Sequence, residues 1–469
     1  MNLQREFIAI AGYSTVFLLI FGVAETWRIV GSPYTEKTRK LVHFASGAVC
    51  LSFIYLLQSH WSVLILCILF VALMYLTKKY GLLKSVHDVE RKSSGGFYYP
   101  AAVYGTFFIA GVFNQPHFYL IAILVLAISD SLAALVGGRY GFKMYRTEDS
   151  YKSLEGSVIF FLVTFIVVHT CLLLLTPIGR AESLLAAVYL SILVTAFESI
   201  SLGGADNLFI PLGTISILIR IVDQPLSIMV NRITILFVLY WFIYLTAKHT
   251  RAIGLSAVIT IALLGFGAYA LAGLEWVFPV LIATSLLSRV DIFLEPSTTS
   301  DPQYNIRPTF YVIIVSFIWI LAGLLISDYR HVLFVSFTAN LTCSLSIFWK
   351  RRSKLTHIPY RLSLPPWLRH ARMPLRNILL TLILASPSLF ISSSLSPLFT
   401  LAMILSVNFA IEITYWQLEQ RKRGSWPNIR FLQATTLISI FWTTLAALVS
   451  MWYYDFGPLT SFWRISCTL

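Results

Sequence analysis

Charged residues are scarce in this sequence. Of its 469 residues only 12% are Asp, Glu, Lys or Arg, whereas an average soluble domain contains about 25%. Hydrophobic residues make up 57% of the chain. These fractions exclude an ordinary soluble enzyme, a nucleic-acid-binding protein and a secreted disulfide scaffold, and they predict a polytopic membrane protein.

Cysteine is also scarce, with five residues in the whole chain. Four of them lie within apolar runs, and the sequence has no Cys-x-x-Cys or Cys/His spacing typical of zinc ligands. A cleavable leader is not expected, because the first apolar run, residues 7–21, follows only one basic residue and lacks a small-residue cleavage site. We therefore expect this run to be retained as a membrane span.

Long apolar runs separate the charged and turn-rich segments. Each is about 17 to 22 residues long, enough for an α-helix to cross a hydrocarbon core of about 30 Å. The runs predict an all-α, polytopic integral membrane protein with about sixteen transmembrane helices. The predicted spans are 7–27, 41–58, 61–77, 98–113, 118–138, 155–176, 182–202, 207–222, 227–247, 252–273, 276–294, 309–327, 331–349, 376–394, 396–416 and 431–453.

The loops differ in charge and in chemistry. Most of the 35 Lys and Arg residues fall in alternate loops, so the net charge of +14 is mainly an orientation signal that predicts a cytoplasmic basic face. Inside loops before about residue 223 mix acids, bases, Gly, Ser and His, whereas those after 295 contain mainly Pro, Arg and aromatic residues. We therefore predict a membrane catalytic domain, 1–225, and an additional helical region of unknown role, 226–469.

The first polar cluster leads into the second predicted span. Its members Glu36, Arg39, Lys40 and His43 share one helix face through the i, i+3, i+4, i+7 spacing. A solvated helix start with snorkelling bases is the simpler interpretation. His43 argues against it, because this residue lies inside the apolar run and needs a partner there.

The second cluster closes the fifth span. Asp130 precedes the end of an otherwise apolar helix by about two turns, and an intramembrane carboxylate costs about 2.5 kcal/mol or more, so it is a functional candidate. A structural acid paired with a base on another helix is the alternative. Glycines that permit a close backbone approach and bases that suit phosphate follow it, namely Gly137, Gly138, Arg139, Gly141 and Lys143.

The third cluster precedes the sixth span and contains Lys152, Ser153, Glu155 and Gly156. A lysine followed by small residues at a helix N-terminus suits an anionic phosphate. The segment is not a Walker A loop, because the residue order Gly-x-x-x-x-Gly-Lys-Ser/Thr is absent. Helix capping by Ser153 with Glu155 in the first turn is the alternative, although it explains neither Lys152 nor Gly156.

The fourth cluster consists of Glu198, near the end of the seventh span, and Asp206 and Asn207 after it. The last two supply either oxygen ligands or a helix cap. Under the predicted orientation all four clusters reach the same face. Carboxylates beside lysines resemble what phosphoryl transfer needs, with Mg²⁺ held through few protein oxygens.

These motifs resemble the CTP-dependent lipid-alcohol kinase family, which includes phytol kinases and dolichol kinases. The resemblance covers residues 30–215 and implies transfer of the γ-phosphate of CTP to a long isoprenoid alcohol, with Mg²⁺. Residues 130–157 are also similar to CDP-diacylglycerol synthase, whose late signature is missing here. Residues 250–290 faintly resemble the phytyl-phosphate kinase family, but its acidic and Gly-rich motifs are missing downstream.

The residues and the resemblance together suggest roles. The candidate catalytic residues are Asp130, Glu155, Glu198 and His43, with His43 either a base or a positioning residue. The candidate metal ligands are Asp130, Asp206 and Asn207. The candidate nucleotide-binding residues are Arg39, Lys40, Gly137, Gly138, Arg139, Gly141, Lys143, Lys152, Ser153 and Gly156.

The expected partners are a membrane lipid and a nucleotide, not a nucleic acid. A phosphatidate cytidylyltransferase remains the alternative enzyme, and an ion- or proton-coupled transporter remains the alternative from another class. Transport is disfavoured because the acids lie near one face and in the first half only, rather than near mid-membrane in repeated halves. The lipid alcohol, the nucleotide donor and the oligomeric state stay open.

Overall fold

The computed structural model of the chain describes residues 3–31, 35–87, 95–146, 151–200, 203–248, 255–288, 306–355, 379, 382–384, 386, 397–421 and 428–456. Contacts divide the chain into two compact units, Met1–Ile233 and Thr234–Leu469. The boundary between the units falls within a helix, and the limit at residue 225 stays a prediction.

The first unit is built of helices and one small hairpin. Its elements are α1 (Leu3–Gly31), α2 (Thr35–Cys50), α3 (Phe53–Leu56), α4 (His60–Lys79), α5 (Lys84–His87), α6 (Gly95–Val112), α7 (Pro116–Leu124), a π-helical turn (Val125–Ser129), α8 (Asp130–Tyr140), β1 (Met144–Arg146), β2 (Tyr151–Ser153), α9 (Leu154–Leu175), α10 (Arg180–Ser199), α11 (Asp206–Ile221) and α12 (Leu226–Ala247), which continues into the second unit.

The second unit contains helices only in its described part. They are α13 (Leu255–Gly267), a π-helical turn (Ala268–Ala272), a 3-10 turn (Leu274–Trp276), α14 (Val277–Ser288), α15 (Ile306–Leu325), a 3-10 turn (Ser327–Tyr329), α16 (Arg330–Leu355), α17 (Pro397–Arg421) and α18 (Asn428–Phe456). Its core surrounds the fully buried Trp276. Hydroxyl, indole and amide groups join α15, α16 and α18, for example Trp319 Nε1, which donates to Thr443 Oγ1 at 3.1 Å.

The all-α, multi-pass membrane architecture is confirmed. Among the described residues eight helices are long and apolar enough to cross a membrane, and a ninth span is possible if α15 and α16, bent by 120° at their junction, count as one. The count of sixteen therefore stays a prediction. Most of the predicted span 376–394 lies outside the described residues.

A continuous helix, Pro116–Tyr140, forms the centre of the first unit. Its first half is apolar on all sides, and Tyr119, Ile121, Ile123 and Leu126 are fully buried, as expected of a helix surrounded by other helices. The π-helical turn interrupts it directly before Asp130. Such turns are rare in proteins overall, but those that occur are often found at functional sites. They disturb the regular ladder of backbone hydrogen bonds.

Helices α8 and α9 cross in close contact at three glycines. A Cβ on Gly137 would lie 3.2 Å from the Gly156 Cα, and a Cβ on Gly141 would lie 2.6 Å from the Ser153 Cβ. The short antiparallel hairpin of β1 and β2 connects the two helices, with Met144 opposite Ser153. The sequence predicted helices only, so this hairpin was not expected. The hairpin leads the chain directly to the N-terminus of α9.

Replacing Gly137 with alanine is expected to destabilise the protein, whereas the same change at Gly138 is not. A Cβ at Gly137 would lie 2.8 Å from Ser153 Oγ, while a Cβ at Gly138 would meet nothing within 4 Å. Both variants gain about 1 kcal/mol of helix propensity, so their difference isolates the crossing, where overpacking costs about 1–3 kcal/mol. Thermal unfolding in detergent micelles measures it. Equal unfolding midpoints for the two variants would contradict the close crossing.

Candidate active site

A buried ion pair joins α2 to the central helix of the first unit. Lys40 Nζ donates to Asp130 Oδ2 at 2.5 Å and lies 3.4 Å from the Asp130 backbone carbonyl oxygen. The two side chains are only 8% and 10% exposed. Because either charge alone would be strongly unfavourable at this depth, the pair fixes α2 against α8.

His43 lies one turn further along α2, beside this pair. Its Nε2–H donates to the carbonyl oxygen of Leu126, in the π-helical turn, at 3.1 Å. The same nitrogen lies 3.6 Å from Asp130 Oδ2, and the ring packs edge-on against Tyr99 with 5.0 Å between centroids. A backbone carbonyl only accepts, so this contact assigns the proton to Nε2. The geometry favours a positioning role for His43 over that of a base acting through Nε2.

A second buried ion pair joins the hairpin to the end of α10. Lys152 Nζ donates to Glu198 Oε1 at 2.6 Å and also to the Glu198 backbone carbonyl oxygen. The side chains are 14% and 11% exposed. Burial by itself lowers the pKa of Lys152, but the carboxylates of Glu198 and Asp206 outweigh it and raise the pKa above its usual value. Lys152 is therefore protonated throughout the neutral range.

The two ion pairs belong to one group of interacting charges, which we call the charged cluster and define as Lys40, Asp130, Lys152, Glu198 and Asp206. The negative charges of Asp130 and Asp206 both act on the Glu198 carboxylate. Glu198 Oε2 is buried and has no hydrogen-bond partner among the described residues. Members of all four polar clusters of the sequence thus belong to this one group of charges.

Glu155 lies outside the charged cluster. Its Oε2 accepts from the backbone N–H of Phe142 at 3.1 Å, and both carboxylate oxygens accept from that of Lys143 at 3.3 Å. Ser153 is the N-cap of α9, and its Oγ accepts from the Gly156 N–H at 3.1 Å. The capping interpretation therefore describes the contact of Ser153, whereas Glu155 holds the loop after α8 in place.

The predicted glycines and loop bases divide into two groups. Gly137, Gly141 and Gly156 occupy the tight crossing of α8 and α9. Gly138, by contrast, has open space around it. Arg139 and Lys143 are exposed next to it, and the Arg139 guanidinium lies 5.3 Å from the centre of the Tyr140 ring. The open glycine and the two exposed bases form the side of the site that an anion can reach.

Asp206 and Asn207 begin α11 after a turn at Gly203 and Gly204, both of which have positive φ. Asn207 is buried, and its Nδ2 donates to the Gly95 carbonyl oxygen at 3.1 Å, which ties α11 to the start of α6. Asp206 Oδ1 accepts from the Asn207 N–H at 3.0 Å. Within the described ranges no three His, Cys, Asp or Glu side chains are grouped as a metal site.

Comparison with known proteins decides the family. A phytol kinase from Synechocystis sp. is 35% identical to this chain over 183 residues, which are 38% of this chain and 76% of the relative. The chain belongs to the phytol kinase family. It is a multi-pass membrane lipid-alcohol kinase with a lipid substrate. No family model matches the chain, and no solved structure matches it.

Sequence patterns alone missed several residues of this kinase site. Tyr99 and the Leu126 carbonyl contact His43, but both lie in apolar runs with no distinguishing signal. Ser129 and Ser131 flank Asp130, and their hydroxyls are buried without hydrogen-bond partners in the described part of the chain. The run Ser-Asp-Ser within an apolar helix is the signal that could have identified them.

Removing one member of the Lys40–Asp130 pair is expected to destabilise the kinase more than removing both. Lys40→Met leaves a buried carboxylate without its partner, a loss of about 3 kcal/mol or more, whereas Lys40→Met combined with Asp130→Leu removes both charges. Thermal unfolding in detergent measures the difference. Lys37→Met, an exposed position on the same helix, is the matched control and is expected to unfold like the parent. A double variant that is as unstable as the sum of both single variants would refute the pairing.

Proposed function

We propose that this kinase transfers the γ-phosphate of a nucleoside triphosphate, CTP in the first place, to the hydroxyl of a long-chain isoprenoid alcohol such as phytol or a polyprenol. The observation that carries the proposal is the similarity to the Synechocystis phytol kinase over three quarters of that protein. The charged cluster supports it, because buried lysines beside carboxylates at one end of a helical unit suit phosphoryl transfer.

The nucleotide is proposed to bind on the exposed side of the site. Arg139 and Lys143 are exposed there, and Gly138 has open space in which phosphate oxygens can approach the backbone. Lys152 lies at the other end of the same loop and carries a full positive charge. Arg39, one residue before Lys40, acts electrostatically on Asp130. These bases would hold the phosphates and stabilise the charge that develops during transfer.

The acceptor hydroxyl is proposed to meet the site from the buried side. Asp130 would orient the hydroxyl or take its proton, and His43, held by the Leu126 carbonyl, would position Asp130 and the alcohol. Glu198 is the second candidate for this role, because its Oε2 is buried and unpaired within the described residues. Lys40 and Lys152 neutralise these carboxylates in the absence of other partners.

The acids of the charged cluster fit a magnesium ion that is bound together with a nucleotide. Such an ion is typically held through one or two carboxylates plus phosphate oxygens, rather than by a cage of protein ligands. Glu198 Oε2, which is buried and has no hydrogen-bond partner among the described residues, is the first candidate donor. Glu198 would hold the ion with Asp130 or Asp206 as a second carboxylate, and the charge of the ion would help to neutralise the transferred phosphate.

The orientation follows from the charges of the loops. Arg139, Lys143 and Lys152 lie in one of the basic loops, and basic loops remain on the cytoplasmic side. We therefore propose that the active site opens to the cytoplasm, where nucleotides are available. The second unit is proposed as a supporting membrane region, since its buried interhelical bonds use hydroxyls, amides and an indole, and the Arg330 side chain of its Arg330–Glu275 ion pair is 40% exposed.

Label transfer tests the reaction directly. Purified protein is incubated with γ-labelled CTP, ATP, UTP or GTP and with phytol, geranylgeraniol, a polyprenol or diacylglycerol. Labelled isoprenoid phosphate is expected, with CTP as the best donor. Label from α-labelled CTP is expected to stay out of the lipid, because it would enter only by cytidylyl transfer. The absence of a labelled lipid phosphate with every donor and acceptor would refute the proposal.

Neutralising the buried carboxylates is expected to abolish turnover. Asp130→Asn and Glu198→Gln keep the side-chain shape but lose the charge, and we expect kcat to fall by about 100-fold or more. Glu182→Gln is the matched control, since Glu182 lies in the first turn of α10 and Glu198 at the end of the same helix. Rates are normalised to the folded fraction measured by size-exclusion chromatography. Full activity of both site variants would show that the charged cluster has no part in the reaction.

A further inference from the structure

An apolar pocket lies in the first unit, away from the exposed bases. Its enclosed part is small, about 20 Å³, and the empty space rises to about 280 Å³ when the part open to the outside is included. Its walls come from α1, the end of α2, α3, α4 and α6, and they include Phe17, Phe53, Cys67, Phe70 and Val103. Phe17 packs edge-on against both Phe53 and Phe70. The wall is therefore made of rings, a thiol and aliphatic groups, which suit a hydrocarbon.

The pocket adjoins surface that faces lipid. On α4 the neighbours of Cys67 and Phe70 are Ile68 and Leu69, which are 58% and 50% exposed. On α1, Leu18 follows the wall residue Phe17 and is exposed as well. In a membrane-spanning unit, exposed aliphatic residues on apolar helices contact acyl chains. A long hydrocarbon can therefore lie partly in the pocket and partly in the bilayer.

One wall of the pocket leads to the charged cluster. Tyr99 belongs to the lining and is 6% exposed. Its ring contacts His43 with 5.0 Å between centroids, and His43 Nε2 lies 3.6 Å from Asp130 Oδ2. Two adjoining rings thus separate the hydrocarbon-like space from a buried carboxylate. The path from the pocket through Tyr99 and His43 to Asp130 thus begins among apolar groups and ends at a charged group.

We propose that this pocket is the acceptor site: it holds the part of the isoprenoid chain next to the hydroxyl and directs the hydroxyl towards Tyr99, His43 and Asp130. The inference rests on the proposed kinase function. The acceptor is itself amphipathic and has to place its hydroxyl beside charged groups while its chain stays in apolar surroundings. Because most of the space is open to the surroundings, only the first part of a long chain would lie against these walls.

Two neighbouring tryptophan substitutions on α4 test the site. Cys67→Trp fills the pocket, whereas Ile68→Trp places the same ring on the lipid-facing surface. We expect Cys67→Trp to raise KM for a C20 alcohol about ten-fold, the effect of roughly two CH₂ groups that are no longer buried. KM for the nucleotide and turnover of a five-carbon isoprenoid alcohol should stay close to those of the parent. Ile68→Trp should behave like the parent with all substrates, and equal KM values for the C20 alcohol in both variants would overturn the inference.

Photo-crosslinking gives a second measurement on the unmodified protein, which is needed if Cys67→Trp does not fold. The probe is geranylgeraniol with a diazirine on its first isoprene unit. Labelled peptides are expected from α4 or α6, and excess phytol should suppress the labelling more strongly than the hydrocarbon without a hydroxyl.

The outcomes separate the acceptor site from the proposed function. Phosphorylation of the probe with labelling elsewhere, or with equal competition by the hydrocarbon, would leave the kinase function standing and overturn the acceptor site. If no alcohol is phosphorylated, the proposed function fails and the acceptor site fails with it. Phosphorylation together with phytol-sensitive labelling of α4 or α6 supports both.

Discussion

The first unit is organised by two ion pairs that are buried among its helices. A single ionised side chain near the bilayer centre costs about 2.5–3.5 kcal/mol or more, and removal of one partner of a buried pair costs about 3–5 kcal/mol. The Lys40–Asp130 and Lys152–Glu198 pairs therefore determine how α2, α8, the hairpin and α10 lie relative to one another. The glycine crossing of α8 and α9 then brings the two pairs close enough to act on each other.

The ion pairs of the charged cluster stabilise its carboxylates without satisfying every carboxylate oxygen. The lysines stabilise the carboxylates, but Glu198 keeps one buried oxygen without a partner among the described residues. The buried polar contacts of the second unit differ in kind, because they join uncharged hydroxyls and amides, as between Asn340 Nδ2 and Ser316 Oγ. An unsatisfied buried carboxylate oxygen is unfavourable unless a ligand compensates it. This difference is why the chemistry is assigned to the first unit.

The sequence predicted much of this and missed parts for physical reasons. The fold class and the importance of Asp130 and Glu198 followed from the cost of placing carboxylates in apolar helices. Pairing of Asp130 with a base on another helix was the alternative interpretation, but Lys40 could not be identified as that base, because the contact depends on how helices pack across 90 residues of chain. Glu155 and Gly137 have a suitable local pattern for phosphate binding, yet their contacts depend on the hairpin, whose short strands left no periodic signal.

The sequence separation of the Lys40–Asp130 pair has a consequence for biosynthesis. A chain is made from its N-terminus, so Lys40 is synthesised 90 residues before its partner. Until α8 is made, the ammonium group of Lys40 lacks its Asp130 partner and can stay at the aqueous surface, which its place in the second turn of α2 permits. The final packing of α2 therefore depends on Asp130, so that the assembly of this ion pair and the final placement of the helix are one event.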